Sequence, residues 1–458
     1  AYEDGASYQT KTAQAIFGAF PFKGSLPVSI KDKFDAGTGI HTSAAIRLNY
    51  TLPERVGISS EYLEAKIDSM AQYAIDKKAT PGCQILVAKE GNIIYHKGFG
   101  HHTYAGKRPV ETTDIYDIAS ITKIASTMLA VMRLHDIGRI HINDSLGVYL
   151  TDHVDSLKRD LSLKEILTHQ AGLEAWIPFY KYTLNEQGFC DSNYCYDPNS
   201  FFSIRVANNL YLQEDYRDSI WGMITRSEIE GRGDYRYSDL GFFYIKKVVE
   251  NLIQVPFEDY LQKNFYKPLG MNNTAFLPRR HFPLNRIIPT ENDDYFRHQL
   301  IHGYVHDPAS AMLGGIAGHA GLFSNVNDMA KLMQMLLNSG AYGGKRYLSW
   351  PTVQEFTSKQ YKDNRKGLGF DKPETDPDKI SPTSDLVSAE TFGHTGFTGT
   401  CIWADPKHDL IYGFFSNRVH PTAENRKLIT MDIRTEIQSI IYKSFLSKAI
   451  IEKRKSSR

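Results

Sequence analysis

The chain has few of the features that mark a fibrous, membrane-spanning or nucleic-acid-binding protein. Its 458 residues include only four cysteines, Cys83, Cys190, Cys195 and Cys401, and no CxxC pair, which argues against a zinc site held by cysteine. No apolar run approaches the ~18 residues of a membrane-crossing helix. Internal repeats and low-complexity tracts are missing as well. Charge of one sign is not in excess: 53 basic residues against 52 acidic ones leave +1, which argues against a nucleic-acid footprint or an acidic tail. What is present is ordinary and globular, with 41% hydrophobic and 23% charged residues, so disorder is excluded. A length of 458 residues suggests about three domains or lobes. The first residue is Ala1, with no basic and apolar leader after it, so we expect a processed chain or a portion of something longer.

Hydrophobic periodicity supplies the elements. Thr12–Phe20 reads as a short helix. A helix over 60–77, capped by Ser59 or Ser60, aligns Leu63, Ile67, Met70, Ala71 and Ala74 on one face. Residues 84–100 form two β-rich runs across Lys89-Glu90-Gly91-Asn92, a hairpin. A helix is expected over 118–134. Ser162 and Glu165 have the spacing of a capping box for a helix ending near His169. Residues 177–225 read as irregular, and twelve aromatics fall within the 46 positions 176–221. That density fits local packing or the rim of a peptide-binding site. Helical patterns return at 239–265 and 326–339, strands at Gly399–Ala404 and Leu410–Asn417, and a last helix at 428–447. A sheet drawn from both ends of the chain, with a helical insertion between, satisfies this order.

Three short stretches can carry chemistry. Ser120-Ile121-Thr122-Lys123 places a hydroxyl and an amine at i and i+3, neighbouring positions on one helix face. In the first turn of a helix, the Ser120 N–H would be free to face a developing oxyanion. Tyr237 precedes Ser238 and Asp239 at a second helix start, where a phenol can shuttle a proton and Asp239 can cap. His394-Thr395-Gly396 leads into Phe397 beside a strand, where glycine lets a ligand approach the backbone. His302 and His306 stand four apart, but Gly303 between them argues against a helical metal pair, so no metal and no cofactor is expected. Gly314, Gly315, Gly318 and Gly321 lack a following Lys-Ser/Thr, so they are not a phosphate-binding loop of the P-loop type.

The three stretches in this order resemble the signature of the serine β-lactamase and penicillin-binding-protein superfamily. PGCQILVAKEGNIIYHKGFG, EILTHQAGL, YRYSDLGFFYI, FYKPLGMNNTAF, GHAGLFSNVNDMAKL and GHTGFTGT resemble its class C branch, over about residues 55–447. That branch includes β-lactamases, D-alanyl-D-alanine carboxypeptidases, D-aminopeptidases and esterases. The resemblance implies an α+β fold, β-lactamase/transpeptidase-like, an antiparallel sheet flanked by N- and C-terminal helices with an inserted helical subdomain. Its α/β lobe would take 51–125 and 325–458, and its mainly helical lobe 126–324 with the aromatic insertion 177–225. Residues 1–45 resemble the C-terminal end of family-3 β-glycosidases, which implies an upstream glycosidase in the same polypeptide, with 1–50 as its tail and linker.

The resemblance also implies roles. Ser120 would be the acylated nucleophile, Lys123 its proton partner and Tyr237 the general base and then acid. The backbone N–H groups of Ser120 and Phe397 would form the oxyanion hole. Asp239, His394, Thr395, Gly396 and Phe397 would face the substrate. Two positions depart from the family pattern: His394 stands where β-lactamases carry lysine, and Asp239 where asparagine is usual. A histidine is only partly charged at neutral pH, and a carboxylate near Lys123 favours its ammonium form. Both departures favour ester, amide or D-amino-acid peptide substrates, including peptidoglycan fragments, over β-lactam hydrolysis. Two other readings stay open: a penicillin-binding sensor acylated without turnover, and a non-catalytic accessory of the glycosidase. An exported, periplasmic setting is implied, and there a Cys190–Cys195 disulfide is expected. The partners implied are a small-molecule, peptide or glycopeptide substrate and the upstream glycosidase, with neither nucleic acid nor a transmembrane segment.

Overall fold

The computed structural model describes residues 5–19, 21–42, 47–185, 188–189, 192–376 and 378–445. Six strands form the main sheet, in the order Asn49–Tyr50, Asn92–Gly100, Gly82–Lys89, Leu410–Ser416, Cys401–Asp405 and Phe392–Thr395. All neighbours run antiparallel except Asn49–Tyr50, which lies parallel to Asn92–Gly100. Both ends of the chain thus interleave in one sheet, and the fold is the expected mixed α and β one.

Period-2 side-chain placement explains why this sheet is covered on both faces. Ile85, Val87, Trp403, Tyr412 and Phe414 point to one face, where they meet Leu63 and Ile67 of the Ser60–Asp76 helix and Ile437 and Ile441 of the Ile433–Lys443 helix. Leu86, Ala88, Ile402, Ile411 and Phe415 point to the other and join the larger core. Helix Val326–Leu337 packs there, and its start is capped by Asn325, whose side chain accepts from Asp328 N. The hairpin turn falls at Glu90 and Gly91, both with positive φ, which suits the twist of the flanking strands. The capping box at Ser162 and Glu165 is present in both directions, worth roughly 0.5–2 kcal/mol to its helix.

Several expected elements differ. The helix expected over 118–134 begins after Ser120, and Lys123–Thr127 is a π-helical turn before an α-helix continues over Met128–Asp136. The pattern over 239–265 breaks after Leu240–Ile253, because Gln254 is left-handed and Pro256 restarts the chain as a new helix. The terminal helix is split by Asp432, with φ of 52°. The N-terminal helix runs over Ala6–Ile16, displaced toward the start. Residues 177–225 are more ordered than expected: strands Phe202–Ala207 and Leu210–Gln213 form a hairpin, and Tyr216–Arg226 is a helix. Ile204, Val206, Ala207, Leu210 and Leu212 are its buried positions. Cys195 carries a free thiol, so the expected bridge is not supported from its side, and Cys190 lies outside the described residues. Among the described residues, no helix is long and apolar enough to cross a membrane.

Candidate active site

Ser120 sits on the turn between the Tyr116–Asp117 strand and the helix beginning at Ile121. Ala119, just before it, has φ of 45°, a strained conformation for a residue with a Cβ. Asp117 holds that strain: one carboxylate oxygen accepts from Ala119 N at 2.8 Å and the other from His306 N at 2.7 Å. The Asp117 carboxyl is buried, which pushes its pKa up against the pull of these two amides. The turn aims Ser120 Oγ at two donors, Lys123 Nζ at 2.9 Å and the Tyr237 hydroxyl at 3.1 Å.

Lys123 is fully buried in the π-helical turn, a local widening often found at functional sites. Its ammonium lies 2.6 Å from an Asp239 carboxylate oxygen and 3.4 Å from the His319 carbonyl. Burial alone lowers its pKa. Asp239 and Tyr237 outweigh that burial and hold its pKa above the ordinary lysine value. Tyr237 lies with its ring 5.1 Å from Lys123 Nζ. Burial raises its pKa, Lys123 opposes this and Asp239 adds to it, so at rest the phenol keeps its proton. The resting cluster therefore pairs an ammonium and a phenol around one hydroxyl.

The third stretch closes the site from the sheet. A Cβ on Gly396 would meet the Ile118 carbonyl oxygen at 2.5 Å, so only glycine lets the Phe392–Thr395 strand press against the turn that carries Ser120. Thr398 Oγ1 donates to the Asp117 carbonyl at 2.8 Å and ties the two segments together. Among the described residues, neither Ser120 N–H nor Phe397 N–H has a protein acceptor. An oxyanion at Ser120 would need donors of this kind. Thr395 stands at the strand end, half-buried.

His394 corrects an expectation. It is buried, with Nδ1 against the Thr395 carbonyl at 2.6 Å. Burial, with Lys366 and Lys123 nearby, lowers its pKa to about 3, so it carries no charge at neutral pH. The expected partial charge is lost because the ring is buried, and two lysines in this neighbourhood add to that effect. One is Lys366, buried and paired with Asp371 at 3.0 Å, 5.6 Å over the Tyr237 ring. Sequence reasoning passed over it, as it did His169, whose ring packs 4.5 Å from that of Tyr237 and whose Nδ1 accepts from Ser238 N at 3.1 Å. His169 lies inside the quoted EILTHQAGL stretch, so its signal was available. It also passed over the pair His319–Asp307 at 2.8 Å, where burial opposes but His319 prevails in lowering the Asp307 pKa to about 2. His302 and His306 do not converge: His302 Nε2 bonds the Ile287 carbonyl and His306 Nε2 pairs with Glu291 at 2.7 Å. Trp176, Tyr182 and Phe397 are exposed large aromatics, and Trp176 lines a small hollow beside Asp239.

Fold and site together define a serine hydrolase of the β-lactamase and penicillin-binding-protein type. A family model described as Beta-lactamase matches residues 66–433. A protein of Escherichia coli O157:H7 named "Putative D-alanyl-D-alanine carboxypeptidase" is 32% identical over 409 residues, covering 83% of this chain and 88% of the relative. A Salmonella gallinarum protein of the same name matches over the same span at 32%. Among solved structures, EstCE1, described as a hydrolase with promiscuous acyltransferase activity, superposes with a TM-score of 0.59 at 16% identity, over 83% of this chain and 99% of its own. The octameric penicillin-binding protein homologue from Pyrococcus abyssi gives a TM-score of 0.58 at 19% identity, over 86% and 80%. The chain belongs to the Beta-lactamase family.

Proposed function

We propose that this enzyme cleaves an ester, an amide or a D-amino-acid peptide, including peptidoglycan-derived ones, through an acyl-enzyme on Ser120. The observation that carries the proposal is the convergence of Lys123 Nζ and the Tyr237 hydroxyl on Ser120 Oγ. The reactive form is the cluster with one proton fewer, in which the Lys123 ammonium faces a Tyr237 phenolate. Ser120 Oγ gives its proton to Tyr237 and bonds to the substrate carbonyl carbon. The oxyanion forms against Ser120 N–H and Phe397 N–H. As the intermediate collapses, Tyr237 passes the proton to the departing alcohol or amine. A water then attacks the acyl carbon, Tyr237 takes its proton, and that proton returns to Ser120 Oγ.

The substrate side supports the choice of substrate. His394 is neutral, so the third stretch offers no fixed charge to a free carboxylate. Thr395, Gly396 and Phe397 remain to hydrogen-bond and orient the reacting carbonyl, and the exposed aromatics favour a peptide or glycopeptide. The carboxypeptidase name of the relatives points toward cell-wall peptides and an exported setting. The test is intact-mass analysis of the chain after exposure to a chromogenic short-chain ester, D-alanyl peptides and β-lactams. A transient adduct on Ser120 with ester or amide turnover supports the reading, and an adduct on another serine sinks it.

A second reading has one observation in its favour. With Lys123 and Tyr237 both protonated at rest, deacylation lacks a ready base. A penicilloyl adduct that persists, without ester turnover, would select a penicillin-binding sensor. The glycosidase proposal rests on the resemblance of residues 1–45 alone. A native polypeptide no longer than 458 residues would refute it.

A further inference from the structure

A second polar cleft lies apart from Ser120. Its volume is about 240 Å³, and it is bounded by the Phe202–Ala207 strand and the turns at Gly303 and Gly314-Gly315. Four arginines line it, Arg205, Arg217, Arg279 and Arg280, and no Asp or Glu does. Arg217 is paired with Glu214 at 2.5 Å. Among the described residues, Arg205, Arg279 and Arg280 have no carboxylate ion pair. The Tyr304 ring packs against two of them, 5.2 Å from the Arg205 guanidinium carbon and 4.7 Å from that of Arg279. Such stacking fixes planar guanidinium groups and reduces the freedom they must lose on binding. Backbone chemistry cooperates: Gly303 has φ of 74°, and a Cβ there would meet Arg279 Cγ at 2.6 Å. Glycine at 303 is what lets the Arg279 stem cross this turn.

We propose that this cleft binds a small dianion of the phosphate type, either free or at the end of a phosphomonoester. Four guanidinium groups against one carboxylate leave a surplus of positive charge that a dianion neutralises. Guanidinium forks match phosphate oxygens in geometry as well as charge. The volume of about 240 Å³ falls below the roughly 300–1,000 Å³ typical of sites for drug-sized ligands, so the anionic group itself fits and a large body does not. The site also has a route to the reaction centre. Its glycine wall continues into Gly318 and His319, whose carbonyls accept from Thr127 Oγ1 at 2.7 Å and from Lys123 Nζ at 3.4 Å. An occupant braces the loop behind Lys123.

The test is calorimetric titration of the full chain with inorganic phosphate at about pH 8 and about 50 mM NaCl, where screening is weak. One saturable site is expected, weakening as salt is raised, with a melting temperature that rises with phosphate. Arg279→Gln and Arg280→Gln are each expected to weaken it by about tenfold or more. Arg280 is exposed, so its variant keeps the fold, which the unliganded melting temperature checks. Phenyl phosphate binding as well as phosphate assigns the site to phosphomonoesters, and phosphate alone assigns it to the free anion. Absence of saturable heat, affinity unchanged in both variants, or succinate binding equally well would overturn the proposal.

Discussion

The two walls of the site bury cation-capable groups to the same depth and reach opposite outcomes. On the helix wall, Lys123 keeps its proton because Asp239 stands 2.6 Å away. On the sheet wall, His394 loses its proton because burial lowers its pKa and Lys366 and Lys123 add to that effect. Desolvation acts on both in the same direction. The charges around each group decide whether burial is overridden, as at Lys123, or reinforced, as at His394. A substrate therefore meets charge near the serine and neutral hydrogen-bonding groups along the strand.

The comparison can be broken first at its centre. Ser120→Ala is expected to remove turnover and every covalent adduct while leaving the melting curve in place, as read by ester hydrolysis and intact mass. Residual turnover at the wild-type level would end the acyl-enzyme mechanism. Next in size, Tyr237→Phe keeps the ring packed on His169 but removes the shuttle, and a rate loss on the order of 10²-fold or more is expected in single-turnover acylation.

Asp239→Asn sharpens the contrast. Asp239 raises the pKa of both Lys123 and Tyr237, so its neutral isostere lowers both. The reactive, proton-deficient cluster then forms at lower pH. The ascending limb of the pH–rate profile is expected to move down by on the order of one pH unit, with ester turnover at neutral pH increasing. A limb that stays put would detach Asp239 from the proton relay.

His394 gives the smallest effect on rate. His394→Gln is expected to change ester turnover by less than about threefold, because no charge is lost. The effect belongs to stability instead. A histidine whose folded pKa is depressed contributes stability that is present above its unfolded pKa, ~6.5, and lost as pH falls toward the folded value of about 3. The drop in melting temperature between pH 7 and pH 4 should shrink in the variant. An inflection near pH 6 in the wild-type rate profile that vanishes in His394→Gln would reverse the assignment of a neutral imidazole.

Local rules made much of this legible. The SxxK spacing, the Ser162 capping box and the alternating sheet residues follow from helix and strand periods that a one-dimensional reading contains. The convergence of Ser120, Lys123 and Tyr237 was accessible through the order of three stretches. What escaped depended on contacts between distant segments. Lys366 reaches Tyr237 across 129 positions of chain, and no local pattern announces that. The positive φ of Ala119 is imposed by Asp117 and by its bond to His306 N, not by any preference of alanine. The hairpin over Phe202–Gln213 was present in the text, since Asn208-Asn209 interrupts an alternating run and Asn209 adopts φ of 49°. Dense aromatics around it obscured the period-2 signal. Pro256 was an equally visible break in the 239–265 pattern.

The interleaved sheet has a consequence for synthesis. The Leu410–Ser416 strand sits between Gly82–Lys89 and Cys401–Asp405, so the two halves of the sheet meet only through a late segment. While the ribosome still holds that segment, Gly82–Lys89 is an open edge that can pair with a foreign strand. Gly396, which seats the nucleophile turn, also arrives late. The nascent chain thus carries an exposed edge for as long as its chemistry is unassembled, and one late strand closes the edge as the site forms.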